Sequence, residues 1–264
     1  MSPNTARDNT SADNLYFDRD RIPFDVLLTA VAPDTLLSHI QPRDMPDFDD
    51  KPRWIVKQEA AIAKDDYFDL AVVLCAQVVH LAESASLVRR LTDRRIATVL
   101  LVPAALNPFL SDIPTLLTVV APGDLGQGIR MLTHTLLAPA QQDGLVCCDW
   151  MDILDTMRDG ARAQLVSAEA PSAAEAVRAL AERLAPLATG EGYGVVATLY
   201  IGATDRMRDW YSLLNVVKAT TRQDAMVLAS APVTKRSASI AVAMVLTAPS
   251  FHYFRNPIRS EPAA

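Results

Sequence analysis

Glycine is absent from the first 122 residues of this 264-residue chain; all nine glycines lie at or beyond Gly123. Average usage of about 7% would place roughly eight there. Phosphates are held by backbone N–H groups at glycine-rich turns, so the first half offers no such turn. Cysteine is scarce as well. Cys75, Cys147 and Cys148 make no disulfide framework, and no CxxC or Cys/His cluster has zinc spacing. They read as reduced thiols of a cytoplasmic protein. His39, His80, His134 and His252 are far apart in sequence, so no metal site is expected. The longest apolar run, Ile96 to Leu106, is interrupted by Thr98 and Pro103, far short of the ~18 residues of a membrane span. Residues 1–14 have no apolar core, which argues against a secretory signal and for a polar leader. Twenty-five Lys and Arg against 31 Asp and Glu give a net charge of −6. A broad basic footprint is missing, which argues against a nucleic-acid partner.

What is present is apolar sequence in two periods. Half the residues are hydrophobic and 21% are charged, the composition of a folded chain. Phe24–Val31, Leu70–Cys75, Thr98–Val102, Tyr193–Ile201, Ala225–Ala229 and Ile240–Leu246 are short and almost continuously apolar, as strands covered on both faces would be. Ala82–Thr92 reads as a helix between two parallel strands. A helix begins at Pro122-Gly123-Asp124 and carries Leu125, Ile129, Leu132 and Leu136 as one stripe. Gly126 and Gly128 inside it cost about 1 kcal/mol each. Residues 38–66, with Pro42, Pro46 and Pro52 among aspartates, read as an irregular acidic connection.

Helices and strands alternate more plainly in the second half. Asp149–Asp159 reads as a short helix ended by Gly160, and Arg162–Ser167 as a strand. Ser172-Ala-Ala-Glu175 is a capping box, followed by a stripe of Val177, Leu180, Leu184 and Leu187. Gly190–Gly194 turns the chain into a strand. Met207, Trp210, Leu214 and Val217 mark another amphipathic helix, with Tyr211 on its rim. Val233–Ser237 reads as a hairpin between the last two strands, tipped by Lys235 and Arg236. The order implies an α/β unit with a mixed sheet.

Several of these segments, in order, resemble the FtsZ/tubulin family. Gly144-Leu-Val-Cys-Cys-Asp-Trp-Met-Asp-Ile153 is similar to the family loop GLINLDFADV after its long central helix, matching at Gly144, Leu145, Asp149 and Asp152 with Cys147 in place of Asn. Asp155–Ala163, Glu169-Ala170 with Ala174–Leu187, Gly194–Gly202, Asp224–Leu228 and Ser239–Ala248 resemble the helices and strands that follow. The resemblance runs from Gly128 to Phe251. In the first half it is one of outline. Asp65–Ala76 sits where the family has a strand leading into a GGGTGTG phosphate loop, but Gln77-Val-Val-His-Leu-Ala-Glu-Ser84 follows here. Phe24–Val31 likewise leads into Ala32-Pro-Asp-Thr-Leu36 rather than a glycine turn. Losing roughly five charge-assisted hydrogen bonds at ~1.5–3 kcal/mol each removes about 8–15 kcal/mol of gross interaction. A micromolar ligand has about 8 kcal/mol in all. No nucleotide cofactor is therefore expected.

The resemblance implies an α/β fold: a reduced Rossmann-like domain at 22–121 after a leader at 1–21, a central helix and connection at 122–143, a second α/β domain with a mixed four-stranded sheet at 144–254, and a tail at 255–264. It also implies a role for two acids. In the family the loop after the central helix acts in trans on the neighbouring subunit's nucleotide, and by position Asp149 and Asp152 would do so here, orienting water. Their own sequence context gives another role: Asp149 as helix N-cap and Asp152 in the first turn. The expected function is that of a partner, cap or modulator of an FtsZ-type filament protein, or of an oligomer of itself, without GTP binding of its own. The alternatives are a GTPase subunit using Asp149 and Asp152 in trans, and a cytosolic scaffold that kept only the fold. Phe251–Phe254 either covers a sheet edge or forms an interaction patch.

Overall fold

The computed structural model describes residues 24–32, 53–110, 117–142, 144–158, 162–187, 192–202, 205–234 and 238–247. The expectations for the leader, for Pro42, Pro46 and Pro52, for Gly160 and Gly190, for Lys235 and Arg236, and for Phe251–Phe254 lie outside the described residues.

Five parallel strands build the first half: β1 (Asp25–Ala30), β2 (Arg53–Val56), β3 (Leu70–Leu74), β4 (Ala97–Pro103) and β5 (Thr118–Ala121), in the order β2-β1-β3-β4-β5. The three long strands are apolar on both faces because both faces are covered. Helix α1 (Leu81–Asp93) lays Leu81, Leu87, Val88 and Leu91 on one side, against Ala71, Val73, Leu100 and Val102. β2 corrects the expectation of an irregular connection over residues 38–66. Its pairing with β1 is fastened by the Arg53–Asp25 ion pair and by Arg53 N–H donating to Phe24 O at 2.8 Å. β5, four residues long, was also unread. It is too short to show a period before Pro122 ends it.

The opposite face is covered by the central helix α2, which runs from Leu125–Leu132 through a π turn at Thr133–Leu137 into Ala138–Gln141. Asp124 caps it by accepting from Gln127 N–H at 2.7 Å. Leu125, Ile129, Leu132 and Leu136 are all buried, as their spacing requires. Gly128 has a packing reason. A Cβ there would lie 2.8 Å from the Cβ of Ala121, so the missing side chain lets the helix approach β5. In the π turn the Thr133 and Thr135 hydroxyls donate to the carbonyls of Ile129 and Met131, at 2.7 and 2.6 Å. Buried His134 meets the Tyr200 hydroxyl at 2.6 Å, joining the helix to the second half.

There β7 (Arg162–Ala170), β8 (Gly192–Leu199), β9 (Thr221–Pro232) and β10 (Ser239–Thr247) form a mixed sheet ordered β7-β10-β8-β9. β10 is antiparallel to β7 and β8, while β8 and β9 are parallel. Helix α4 (Ala173–Leu184) starts at the expected cap, Ser172 Oγ accepting from Glu175 N–H at 3.4 Å, and buries Val177, Leu180 and Leu184. Helix α5 (Met207–Ala219) buries Leu213 and Val217. Met207, placed on its apolar stripe from the sequence, is exposed instead. Val233–Ser237 does not close a hairpin, because β8 lies between β9 and β10. β6 (Gly144–Val146), read as loop, pairs antiparallel with β9. Helix α3 (Trp150–Arg158) follows it.

Among the described residues the halves share one sheet of ten strands. β5 pairs in parallel with β7 through Thr118↔Arg162, Val119↔Ala163 and Val120↔Gln164. Beneath it a single apolar cluster runs from Val26, Val72 and Leu101 through Ile129 and Leu136 to Ile153, Leu165, Val196 and Met244.

Candidate functional site

In an open parallel sheet, ligands bind beyond the carboxyl ends of the strands where strand order reverses. The order β2-β1-β3 puts that point between β1 and β3. The turn leaving β3 carries no glycine: Gln77 is extended, with φ −135° and ψ 143°, and Val78–His80 form a single 3₁₀ turn into α1. Val78 and Val79 are 45% and 73% exposed. Two branched apolar side chains thus stand where an anion cradle would present N–H groups. Beside the turn, the thiol of Cys75 donates to Gln77 O at 3.3 Å, and burial pushes that thiol's pKa up. A neighbouring cavity of about 380 Å³ lies beyond β4 and β5. Its polar lining includes the amides Asn107, Gln127 and Gln164. Its cation, Arg183, is engaged with the carbonyl of Ser167.

The amino edge of the same sheet is built differently. α3 crosses it from β1 to β9. At one end the rings of Phe24 and Trp150 meet edge-on, 4.9 Å apart, and at the other Thr156 Oγ1 lies 2.9 Å from Met226 Sδ. Asp149 is the N-cap of α3, its carboxylate accepting from Met151 N–H at 2.7 Å. Asp152, in the first turn, is exposed; its backbone carbonyl accepts from the Thr156 hydroxyl at 2.8 Å, but its carboxylate has no hydrogen-bond or ion-pair partner among the described residues. The two predicted acids therefore share one helix start, but only Asp152 offers an uncommitted carboxylate. Burial, with Asp152 and Cys147 adding negative charge, pushes the Cys148 thiol up to about 11. At neutral pH it is a poor nucleophile.

Between α3 and the starts of β3, β4 and β5 lies a cavity of about 360 Å³, lined by Tyr67, Arg95, Leu117, Trp150, Met151 and Met157 among others. Tyr67 and Met151 are 74% and 56% exposed. Arg95 takes φ 64°, a conformation that usually selects glycine, where the chain turns from α1 into β4. Sequence reasoning missed Tyr67, Arg95 and Met151. They come from three separate segments, and the only local signal was the absence of a glycine after α1.

The architecture is an FtsZ/tubulin-like α/β fold. The chain superimposes on a single-substitution mutant of FtsZ from M. jannaschii with a TM-score of 0.65, at 11% identity over 86% of this chain and 92% of that one. An empty FtsZ dimer structure from M. jannaschii gives 0.54 at 14% identity, over 68% and 63% of the two chains. CetZ2 from Haloferax volcanii, a GTPγS-bound protofilament, gives 0.52 at 11%, over 71% and 67%. The chain thus spans less than two thirds of the dimer-form FtsZ chain it matches. No protein-family model and no curated protein matches the sequence. Among the described residues no helix is long and apolar enough to cross a membrane.

Proposed function

We propose that this chain is a non-catalytic, filament-associated member of the FtsZ-like fold. It binds the end of an FtsZ-type filament through its amino edge and caps or modulates it. The observation that carries this reading is the turn at Val78–His80: it follows β3, where the sequence resemblance would put the family's phosphate loop, and Val78 and Val79 in it are exposed. A subunit built this way supplies no nucleotide to a neighbour. Its other end still presents Asp152, Trp150 and Met151 to one. The repeating contact of a filament requires both ends, so a one-ended subunit terminates it. Asp152, with its free carboxylate, is the group placed to alter a partner's nucleotide turnover.

The test has two arms. GTP and GDP binding to the purified chain should be undetectable, and its melting temperature should not rise in millimolar GTP with Mg²⁺. A site filled to 100 times its Kd would add about 2.7 kcal/mol, an easily seen shift. Small amounts of the chain should shorten filaments of an FtsZ-type partner from the same cell, and Asp152→Asn should change that partner's GTP turnover while binding persists. Specific GTP binding would favour the GTPase alternative. Indifference of the filament to the chain would leave the scaffold reading.

A further inference from the structure

The filament reading makes no use of the cavity of about 360 Å³ between α3 and the starts of β3, β4 and β5. We infer that it is a binding site for a free apolar α-amino acid: Arg95 takes the carboxylate, Asp69 the ammonium group, and the wall of α3 the side chain. The volume lies at the small end of the range for ligand pockets, about 300–1,000 Å³, which sets the ligand at metabolite size.

The strand register brings the two charges together. Leu70 of β3 pairs with Ala97 of β4, on strands about 4.8 Å apart. Asp69 lies one residue before Leu70 and Arg95 two residues before Ala97, so both stand at the entrances to neighbouring strands. Among the described residues they are the only charged groups lining the cavity. Yet they form no ion pair with each other, and the Arg95 side chain has no partner among the described residues. Asp69 Oδ2 accepts from Asp25 N–H at 2.8 Å, which fixes the carboxylate and leaves Oδ1 without a partner among those residues. A zwitterion satisfies both charges at once. A simple anion would satisfy Arg95 but face the Asp69 carboxylate, and a simple cation would do the reverse.

The backbone at Arg95 is strained. α1 ends in a Schellman motif, with Arg95 N–H donating to Thr92 O at 2.7 Å and Ile96 N–H to Leu91 O at 3.2 Å. The left-handed position of that motif ordinarily holds glycine, and Arg95, at φ 64°, is the one non-glycine residue with positive φ among the described residues. Strained backbone of this kind clusters at ligand clamps. Thr92, three residues earlier, gives a second signal. It lines the same cavity, and its Oγ1 is buried with no hydrogen-bond partner among the described residues. Buried hydroxyls are rarely left unpaired, and a carboxylate held by Arg95 would accept from this one. The remaining wall is apolar. Trp150, Met151, Leu154 and Met157 of α3, with the exposed ring of Tyr67, offer aromatic faces and polarizable sulfur. That surface suits an aromatic, thioether or branched aliphatic side chain and leaves a polar one without partners.

The test is calorimetric titration of the full chain with L-phenylalanine, L-methionine and L-leucine. Each is set beside the acid and the amine of the same side chain (3-phenylpropanoate and 2-phenylethylamine for phenylalanine). At least one of the three amino acids should bind one to one with a Kd below about 1 mM, and its single-charge analogues at least about tenfold more weakly. Arg95→Gly relieves the left-handed backbone, so it should weaken binding at least about tenfold without lowering the thermal midpoint. A residue with only a structural role would not separate the two. Asp69→Asn keeps an acceptor for Asp25 N–H; it should weaken the amino acid about tenfold and tighten the acid analogue. No binding of any of the three at about 10 mM overturns the proposal. So does an acid or an amine that binds as tightly as its amino acid, which would make this a plain anion or cation site. Binding indifferent to Arg95→Gly or to Asp69→Asn would place the ligand elsewhere and overturns it too. The titrations use the chain alone, with no nucleotide or filament, so their failure is separate from failure of the filament reading.

Discussion

The two halves of the sheet use glycine in opposite ways. The parallel half has none, and where its strand order reverses, the chain leaves β3 through Gln77 and two exposed valines. The mixed half places glycine where backbones close on one another. A Cβ at Gly144 would lie 2.4 Å from Ala231 O and 2.8 Å from Pro232 Cα, so β6 joins β9 only because that residue has no side chain. Glycine here serves packing between elements, not the cradling of a ligand. The helix start at Asp149 likewise rests on its own hydrogen bonds, with the carboxylate accepting from Met151 N–H and the carbonyl from Ile153 N–H.

The largest expected effect tests whether the halves differ in stability as they do in composition. Leu180 of α4 is fully buried, and Leu180→Ala should cost about 2–5 kcal/mol. Because β5 pairs with β7 and one apolar cluster underlies both halves, a probe in each half should report the same lowered urea midpoint. Two separated midpoints would show that the continuous sheet does not couple them. Gly144→Ala comes next. Its neighbours are backbone atoms that cannot rotate away, so the strain should cost about 1–3 kcal/mol, read as a lower thermal midpoint. The smallest effect separates the two acids. Asp149→Ala removes the cap of α3 and should cost about 1 kcal/mol, whereas Asp152→Asn, exposed and unpaired, should stay within about 0.5 kcal/mol. Equal costs would mean that Asp152 has a structural partner after all.

The sequence was legible where one element carries its own signal. The stripe of α2, the Ser172 cap and the central strands β3, β4 and β8 follow from period and composition alone. β2, β5 and β6 were not legible. Each is three or four residues long, and each exists because a neighbouring strand offers it hydrogen bonds. The reading of Val233–Ser237 as a hairpin failed for a related reason: adjacency in sequence says nothing about β8 inserting between β9 and β10. Of Asp149 and Asp152, the part legible in the residues themselves was a shared helix start, with Asp149 as cap and Asp152 in the first turn; a role in trans came only from the resemblance. Tyr67, Arg95 and Met151 were not legible, since their meeting is a product of the fold, and Arg95 adopts its left-handed backbone with no glycine in the sequence to announce it.

The π turn at Thr133–Leu137 makes α2 a helix with two phases. Before it, Leu125, Ile129 and Leu132 address the parallel strands; within and after it, His134 and Ala138 address Tyr200 of the other half. One residue of an α-helix is worth about 100° of rotation. Deleting a single residue from the turn would restore regular winding and swing one end of the helix by that angle, away from the wall it serves. This stretch therefore tolerates exchange of side chains far better than any change in length, and the count of residues from Asp124 to Gly144 is a property of the architecture in its own right.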